Sequence, residues 1–212
     1  MEKKGYFITF EGGEGCGKST QNKKFEEYLK SKNVDFLITR EPGGYPLCEE
    51  IRKILLHSSD DMFNKTEFLL FSASRAELTE RVIKPALAVG KTVVCDRFYD
   101  SSIVYQGGAR GLGEDNVRMI TAFAIGDLKP DVTIYLKINP ERGFERKGGA
   151  DQTDRMETAG LEFHKKVFQK YNELAEQEPD RFLVVDATQP IEKVFDDIIC
   201  GLKEKGIVFD EV

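Results

Sequence analysis

This sequence predicts an α/β fold: a five-stranded parallel sheet with helices on both faces. Three observations carry that prediction. Short runs rich in β-branched and aromatic residues recur at 6–10, 36–39, 92–96, 132–138 and 181–187. Helical stretches separate them, at roughly 18–31, 47–57, 66–88, 115–126, 159–177 and 190–204. The runs are apolar, which suits strands covered on both faces. The 212 residues show no repeat, low-complexity tract or break in composition, so residues 1–212 are expected to form one domain. Crossovers should be right-handed, and ligands should bind at the C-terminal ends of the strands. Chemistry is therefore expected in the short segments 11–19, 40–46, 96–106 and 186–190.

The first strand, YFITF, runs directly into GGEGCGKST at residues 12–20. Residues 12–19 fit G-x-x-x-x-G-K-[ST], with a strand before and a helix after. Backbone N–H groups of Gly12, Gly13, Glu14, Gly15, Cys16 and Gly17 can wrap phosphate oxygens. Ser19 and Thr20 lie at the start of a helix whose dipole favours anions. Lys18 supplies a compact charge for β and γ phosphates, and Ser19 a hydroxyl for magnesium. The loop alone says only that a nucleotide binds. Its acid, Glu14, stands out in a pocket for anions. The helix that follows buries Phe25, Tyr28 and Leu29.

The second strand ends in TREPGGYP (39–46) and the third in DRFYDSSIVYQGG (96–108). Between them, the helix at 66–88 carries LLFSASRAE (69–77), in which Phe71 and Arg75 are four apart and share a face. An aromatic ring beside a guanidinium suits a planar base. A lone Phe71 would read as core, but Arg75 would then sit unexplained on an apolar face. Asp96, at a strand end beside the phosphate loop, can hold magnesium directly or through water, or cap a helix. The segment 139–158, NPERGFERKGGADQTDRMET, is polar with adjacent glycines. It reads as a disordered connection or as a mobile lid. Its cations Arg142, Arg146, Lys147 and Arg155 favour the lid.

The net charge is −6, from 37 acidic and 31 basic residues, with no basic patch, so no nucleic-acid partner is expected. A small anion remains possible, since a few focused cations can bind one on an acidic protein. Cys16, Cys48, Cys95 and Cys200 are scattered without a CxxC pair, which fits a reducing cytoplasm rather than a zinc site. No apolar run is long enough for a signal-peptide core or a membrane span.

A nucleotide-driven switch would carry DxxG after a strand and NKxD for guanine. Here DRFYDS follows TVVC, and NKTE (64–67) lacks the aspartate. A kinase needs an acceptor site, and the remaining motifs supply one. The phosphate loop, REPGG, F-x-x-x-R, DRF, S-x-x-YQG, a lid ending in DRME and a final DATQP occur in that order. In this the chain resembles the bacterial thymidylate kinases over nearly its whole length. The resemblance implies the three-layer P-loop kinase fold with a lid at about 140–157. It also implies ATP and dTMP as substrates, magnesium as cofactor, and a homodimer formed through helices that include the one bearing Phe71. The alternatives are another P-loop small-molecule kinase with a different acceptor, and a nucleotide-dependent switch.

By resemblance, Phe71 and Arg75 hold thymine by its face and O4, and Ser102 hydrogen-bonds the ring. Tyr105 fills the space of a ribose 2′-OH, with Gln106 in the same wall. Arg40, Pro42 and Arg52 line the acceptor side. Arg97 contacts the acceptor phosphate, and Glu14 faces the deoxyribose 3′-OH or lies near Arg97. Glu11 reads as structural, ending the strand near the magnesium pocket. Arg142 stacks under adenine, which the loop at 186–190 flanks. Family members place a catalytic cation either in the phosphate loop or in the lid. Gly15 occupies the loop position here, so the lid must supply it, with Arg146 first and Lys147 and Arg155 next.

Overall fold

The central strand β1 (Phe7–Glu11) is buried at all five positions, because neighbours cover both its edges and helices both its faces. The computed structural model describes residues 5–57, 62–148 and 159–209. β1 pairs in parallel with β3 (Thr92–Asp96) on one side and β4 (Val132–Lys137) on the other; β2 (Phe36–Arg40) and β5 (Phe182–Asp186) complete the expected sheet, in the order β2-β3-β1-β4-β5. The chain thus reverses its direction of growth around β1. The C-terminal ends of β1, β3 and β4 open a crevice at that point.

Alternation along β1 splits the core into two layers. Phe7 faces a cluster with Leu78, Val93, Phe98, Tyr135 and Tyr171. Ile8 and Phe10 face the other, with Phe25, Leu29, Val94, Ile134 and Ile198. Helices α1 (Lys18–Ser31) and α9 (Ile191–Glu204) cover this second face. Each fully buried side chain of this size contributes about 1.5–3 kcal/mol.

Three segments differ from the sequence expectation. The helix expected at 66–88 is α3 (Asn64–Leu78), a wide π turn at Thr79–Ile83, then α4 (Lys84–Ala88). Pro85 offers no N–H to the carbonyl of Arg81 and its ring crowds that carbonyl, so the preceding turn widens. The segment expected to be a short connection at 96–106 is instead α5 (Tyr99–Ser102) continuing as a second π turn, Ile103–Ala109. The lid segment begins with a helix, α7 (Pro140–Lys147). The Asn139 side chain caps it, accepting from Arg142 N at 3.0 Å, and Gly148 ends it in a left-handed conformation. Arg155 and the rest of the lid to 158 lie outside the described residues.

A buried ion pair pins α5. Arg181, just before β5, donates to both carboxylate oxygens of Asp100 at 2.6 and 2.8 Å. It also donates to Thr133 Oγ1, which hydrogen-bonds Thr9 on β1. The segment after β3 is thereby tied to the far edge of the sheet.

Candidate active site

The phosphate loop closes on itself through Lys18, whose Nζ donates to the Gly12 carbonyl at 3.1 Å. Gly15 is required twice over. Its φ is +67°, and a Cβ there would stand 1.9 Å from the carbonyl oxygen of Gly143 on α7. A Cβ on Gly143 would in turn meet the Glu14 carbonyl at 2.2 Å. The lid helix therefore sits on the phosphate loop backbone to backbone, through two glycines.

Asp96 ends β3 opposite Phe10, and its Oδ1 is buried with no hydrogen-bond partner among the described residues. Together with the Ser19 hydroxyl at the start of α1, it offers hard oxygen donors. Among the described residues no cluster of three or more His, Cys, Asp and Glu could cage a metal. A sparse oxygen set suits magnesium, which keeps waters and takes its remaining ligands from phosphates.

Arg97 follows Asp96 with φ +65°, a conformation that non-glycine residues seldom adopt. Its N–H donates to Phe10 O at 2.9 Å. Its guanidinium lies between two acids. Nη2 donates to Glu14 Oε1 at 3.0 Å. Nη1 donates to the hydroxyls of Ser101, at 3.1 Å, and Tyr171, at 3.4 Å. Both hydroxyls donate to Glu11 Oε2, each at 2.6 Å. The other oxygen of Glu11 accepts from the backbone N–H of Phe98 at 2.8 Å. Burial and then Asp100 push the Glu11 carboxyl up, while Arg97 and the two hydroxyls pull it down. For Glu14, burial is outweighed by Arg97, Lys18 and Lys147, which hold it below the usual carboxylate range.

Beside Arg97 opens a pocket. Of the residues expected on the acceptor side, Glu14, Pro42, Arg52, Phe71, Arg75, Arg97, Ser102, Tyr105 and Gln106 line it together. Arg40 is not among its lining residues. Its side chain leaves the edge strand toward α2 (Pro46–His57) and pairs with both oxygens of Glu49 at 3.0 Å. Glu49 also accepts from Gly44 N at 2.7 Å, so Arg40 braces the REPGG turn from outside. Arg52 reaches the same turn, donating to Pro42 O at 2.8 Å.

Arg75 is only 1% exposed. Its Nε donates to Glu41 Oε2 at 2.7 Å and its Nη2 to Ser102 Oγ at 3.0 Å. Arg75 Nη1 and Glu41 Oε1 have no hydrogen-bond partner among the described residues. Buried polar groups are otherwise nearly always paired, so an unpaired guanidinium N–H at a pocket wall calls for an acceptor from a ligand. Tyr105 lies under Arg97, 5.2 Å from ring centroid to guanidinium, and Gln106 Nε2 donates to buried Glu67 at 3.0 Å.

On the donor side, Arg146 donates to Ala187 O at 2.5 Å and Thr188 O at 2.9 Å. Its guanidinium is thus committed to the loop after β5 rather than turned toward Lys18. Asp186 is held below its usual range first by its hydrogen bonds to Thr188, with Arg142 and Arg146 adding their charge. Lys147 is the α7 cation that approaches the phosphate loop, 3.8 Å from Glu14 Oε2.

Sequence reasoning missed the roles of Glu41, Ser101, Glu67 and Tyr171. A buried arginine at a helix position demands a buried acid, which could have pointed to Glu41. Nothing local marks Tyr171, which sits at a core position of α8 (Leu161–Gln177).

Residues 10–198 match the family model described as thymidylate kinase. Relatives bearing the name thymidylate kinase include one from Clostridium novyi, 47% identical over 204 residues, covering 94% of this chain and 99% of the relative. One from Caldanaerobacter subterraneus is 45% identical over 95% of this chain and 96% of its own length. One from Deinococcus radiodurans is 45% identical over 95% and 98%.

Two predictions come from this geometry. Gly143→Ala must lift α7 off the phosphate loop, and a displacement of about 1 Å can cost roughly 10²-fold in rate. Turnover should fall on that scale with the melting temperature nearly unchanged; full turnover would mean that the contact is not needed. Burial, against the pull of Arg75, pushes the Glu41 carboxyl up from 4.5 to about 7. Its folded value lies above its unfolded one, so its stabilising contribution is complete below pH 4.5 and is lost as pH rises through about 7. Between those limits the stability of the wild type relative to Glu41→Gln should fall by about 3 kcal/mol in urea denaturation. A pH-independent difference would contradict it.

Proposed function

The chain belongs to the thymidylate kinase family, and from that premise we propose how its residues divide the transfer of the γ-phosphoryl group of ATP to dTMP, giving dTDP and ADP. One observation carries the proposal. The Arg97 guanidinium stands at the wall of the acceptor pocket and against Glu14 of the phosphate loop at once.

On the donor side, the N–H groups from Gly12 to Gly17 wrap the phosphates, and Lys18 meets the β and γ oxygens. Ser19 and Asp96 would hold magnesium, directly or through water. Magnesium supplies charge neutralisation at those oxygens when bound. Arg142 and Arg146 serve the base side, where Arg146 anchors α7 to the loop after β5. On the acceptor side, Phe71 stacks on thymine and Arg75 Nη1 donates to its O4. Tyr105 leaves no room to bury a ribose hydroxyl, which would be left unpaired. Arg97 and Arg52 receive the 5′-phosphate, while Glu14 accepts from the 3′-OH and keeps Arg97 in place. Among the described residues, Lys147 is the lid cation that approaches the junction of the two substrates.

No general base is required, because a phosphate monoester has its second pKa near 6 and is already ionised at neutral pH. Catalysis is positioning and charge stabilisation. A homodimer is supported by an apolar strip on α3 and α6 (Glu114–Ile125), where Leu69, Met119 and Phe123 are 54%, 67% and 94% exposed. Ala73 lies in the same strip. Among the described residues no helix is long and apolar enough to cross a membrane. All four cysteines are free, which supports a cytoplasmic setting.

The test is ADP release with dTMP, dUMP, dCMP and the thymine ribonucleotide as acceptors. dTMP should be used best. dUMP should follow within the roughly 10–200-fold that one methyl is worth. dCMP should be far slower, since its 4-amino group leaves Arg75 unpaired. A preference for dCMP or the ribonucleotide would overturn the acceptor assignment. Hydrolysis indifferent to any acceptor would favour a switch.

A further inference from the structure

We propose that Tyr171, on α8, is a positioning residue for Arg97, acting through a two-hydroxyl relay to the buried carboxylate of Glu11. The inference rests on the reading of Arg97 as the contact to the acceptor phosphate.

The geometry leaves little freedom. Glu11 is fully buried, and its Oε2 accepts from Ser101 Oγ and from Tyr171 Oη, each at 2.6 Å. Each hydroxyl has one proton to give, and Glu11, an acceptor only when ionised, takes both. Their lone pairs then face outward, and Arg97 Nη1 fills them, at 3.1 and 3.4 Å. Arg97 itself stays 4.0 Å from Glu11, so the hydroxyls carry the contact. The relay fixes Nη1, and Glu14 fixes Nη2.

Tyr171 is itself immobilised. It is buried at 0% exposure, stacked on Tyr135 with ring centroids 5.0 Å apart, and edge-on to Tyr105 at 6.3 Å. Tyr135 provides an internal contrast, since its hydroxyl is also buried but has no hydrogen-bond partner among the described residues. The two rings stack on each other, and the Tyr171 hydroxyl is the one that meets Arg97 and Glu11. Helix α8 thus supplies one of the groups that aim a guanidinium 74 residues earlier in the chain, just after β3.

The experiment is steady-state kinetics on Tyr171→Phe, Ser101→Ala and Tyr135→Phe, with Tyr171→Phe also made in an Arg97→Met background. Tyr171→Phe should lower kcat by about 10- to 10²-fold, the scale of a small misplacement. The KM for ATP should stay within about twofold and the melting temperature within a few degrees, because only a hydroxyl is lost. Ser101→Ala should give the same split, and it serves if Tyr171→Phe folds poorly. Tyr135→Phe should match the wild type. In the Arg97→Met background, Tyr171→Phe should cost almost nothing further, because the two act as one unit. Full additivity there, or wild-type kcat in both hydroxyl variants, would overturn the relay. If Arg97→Met itself left dTMP turnover intact, the underlying reading of Arg97 would fail instead.

Discussion

One guanidinium organises this molecule. Arg97 carries a charge that cannot be removed, in a site largely shielded from water, on a residue whose backbone is in the left-handed region. Leaving such a charge unpaired would cost several kcal/mol. The fold meets that constraint with two nearby acids, Glu11 at the end of β1 and Glu14 within the loop that follows. Glu11 reaches Arg97 through hydroxyls from α5 and α8, and Glu14 touches it directly. Around this point the strand order, the π turn after α5 and the Asp100–Arg181 tie make structural sense. They hold the elements that supply Ser101 and Tyr171 against the C-terminal ends of β1 and β4.

The same arrangement resolves the presence of acids among anion-binding groups. Two unit charges of like sign at 4 Å repel by about 1 kcal/mol in water and about 4 kcal/mol at an effective dielectric of 20. A site that joins two phosphate-bearing substrates needs cations there, and those cations must be stable when the site is empty. Glu11 and Glu14 stabilise Arg97 in that state, and they are outnumbered by the cations proposed to meet phosphate, Arg97, Arg52, Lys18 and Lys147. An acidic protein of net charge −6 can thus bind two anions, since only the local field matters.

Much of this was legible in the sequence, for reasons that differ by residue. The sheet shows because strands buried on both faces must be apolar throughout, as in TVVC. The phosphate loop shows because its backbone conformation demands glycines at fixed offsets. Phe71 and Arg75 show because four residues on a helix are spatial neighbours. The contact of Arg40 with Glu49 was not legible, because motif membership does not say which way an edge-strand side chain points. The contact of Arg146 was hidden for a similar reason: its charge is visible, but the carbonyls of Ala187 and Thr188 that it meets are 41 and 42 residues away. Tyr171 was silent because an aromatic at helical spacing reads as core. It is core, and its hydroxyl meets a carboxylate 160 residues distant. Helix α7 was missed because its eight residues, PERGFERK, carry a single large apolar side chain and so show no apolar period, although Asn139-Pro140 and Gly148 mark its ends.

The most direct test of the central claim is a crystal structure of the protein with dTMP bound. The account predicts the 5′-phosphate against the Arg97 guanidinium, with Nη1 still held by the hydroxyls of Ser101 and Tyr171 and thymine between Phe71 and Arg75. A phosphate bound elsewhere, with Arg97 still locked between Glu11 and Glu14, would contradict it.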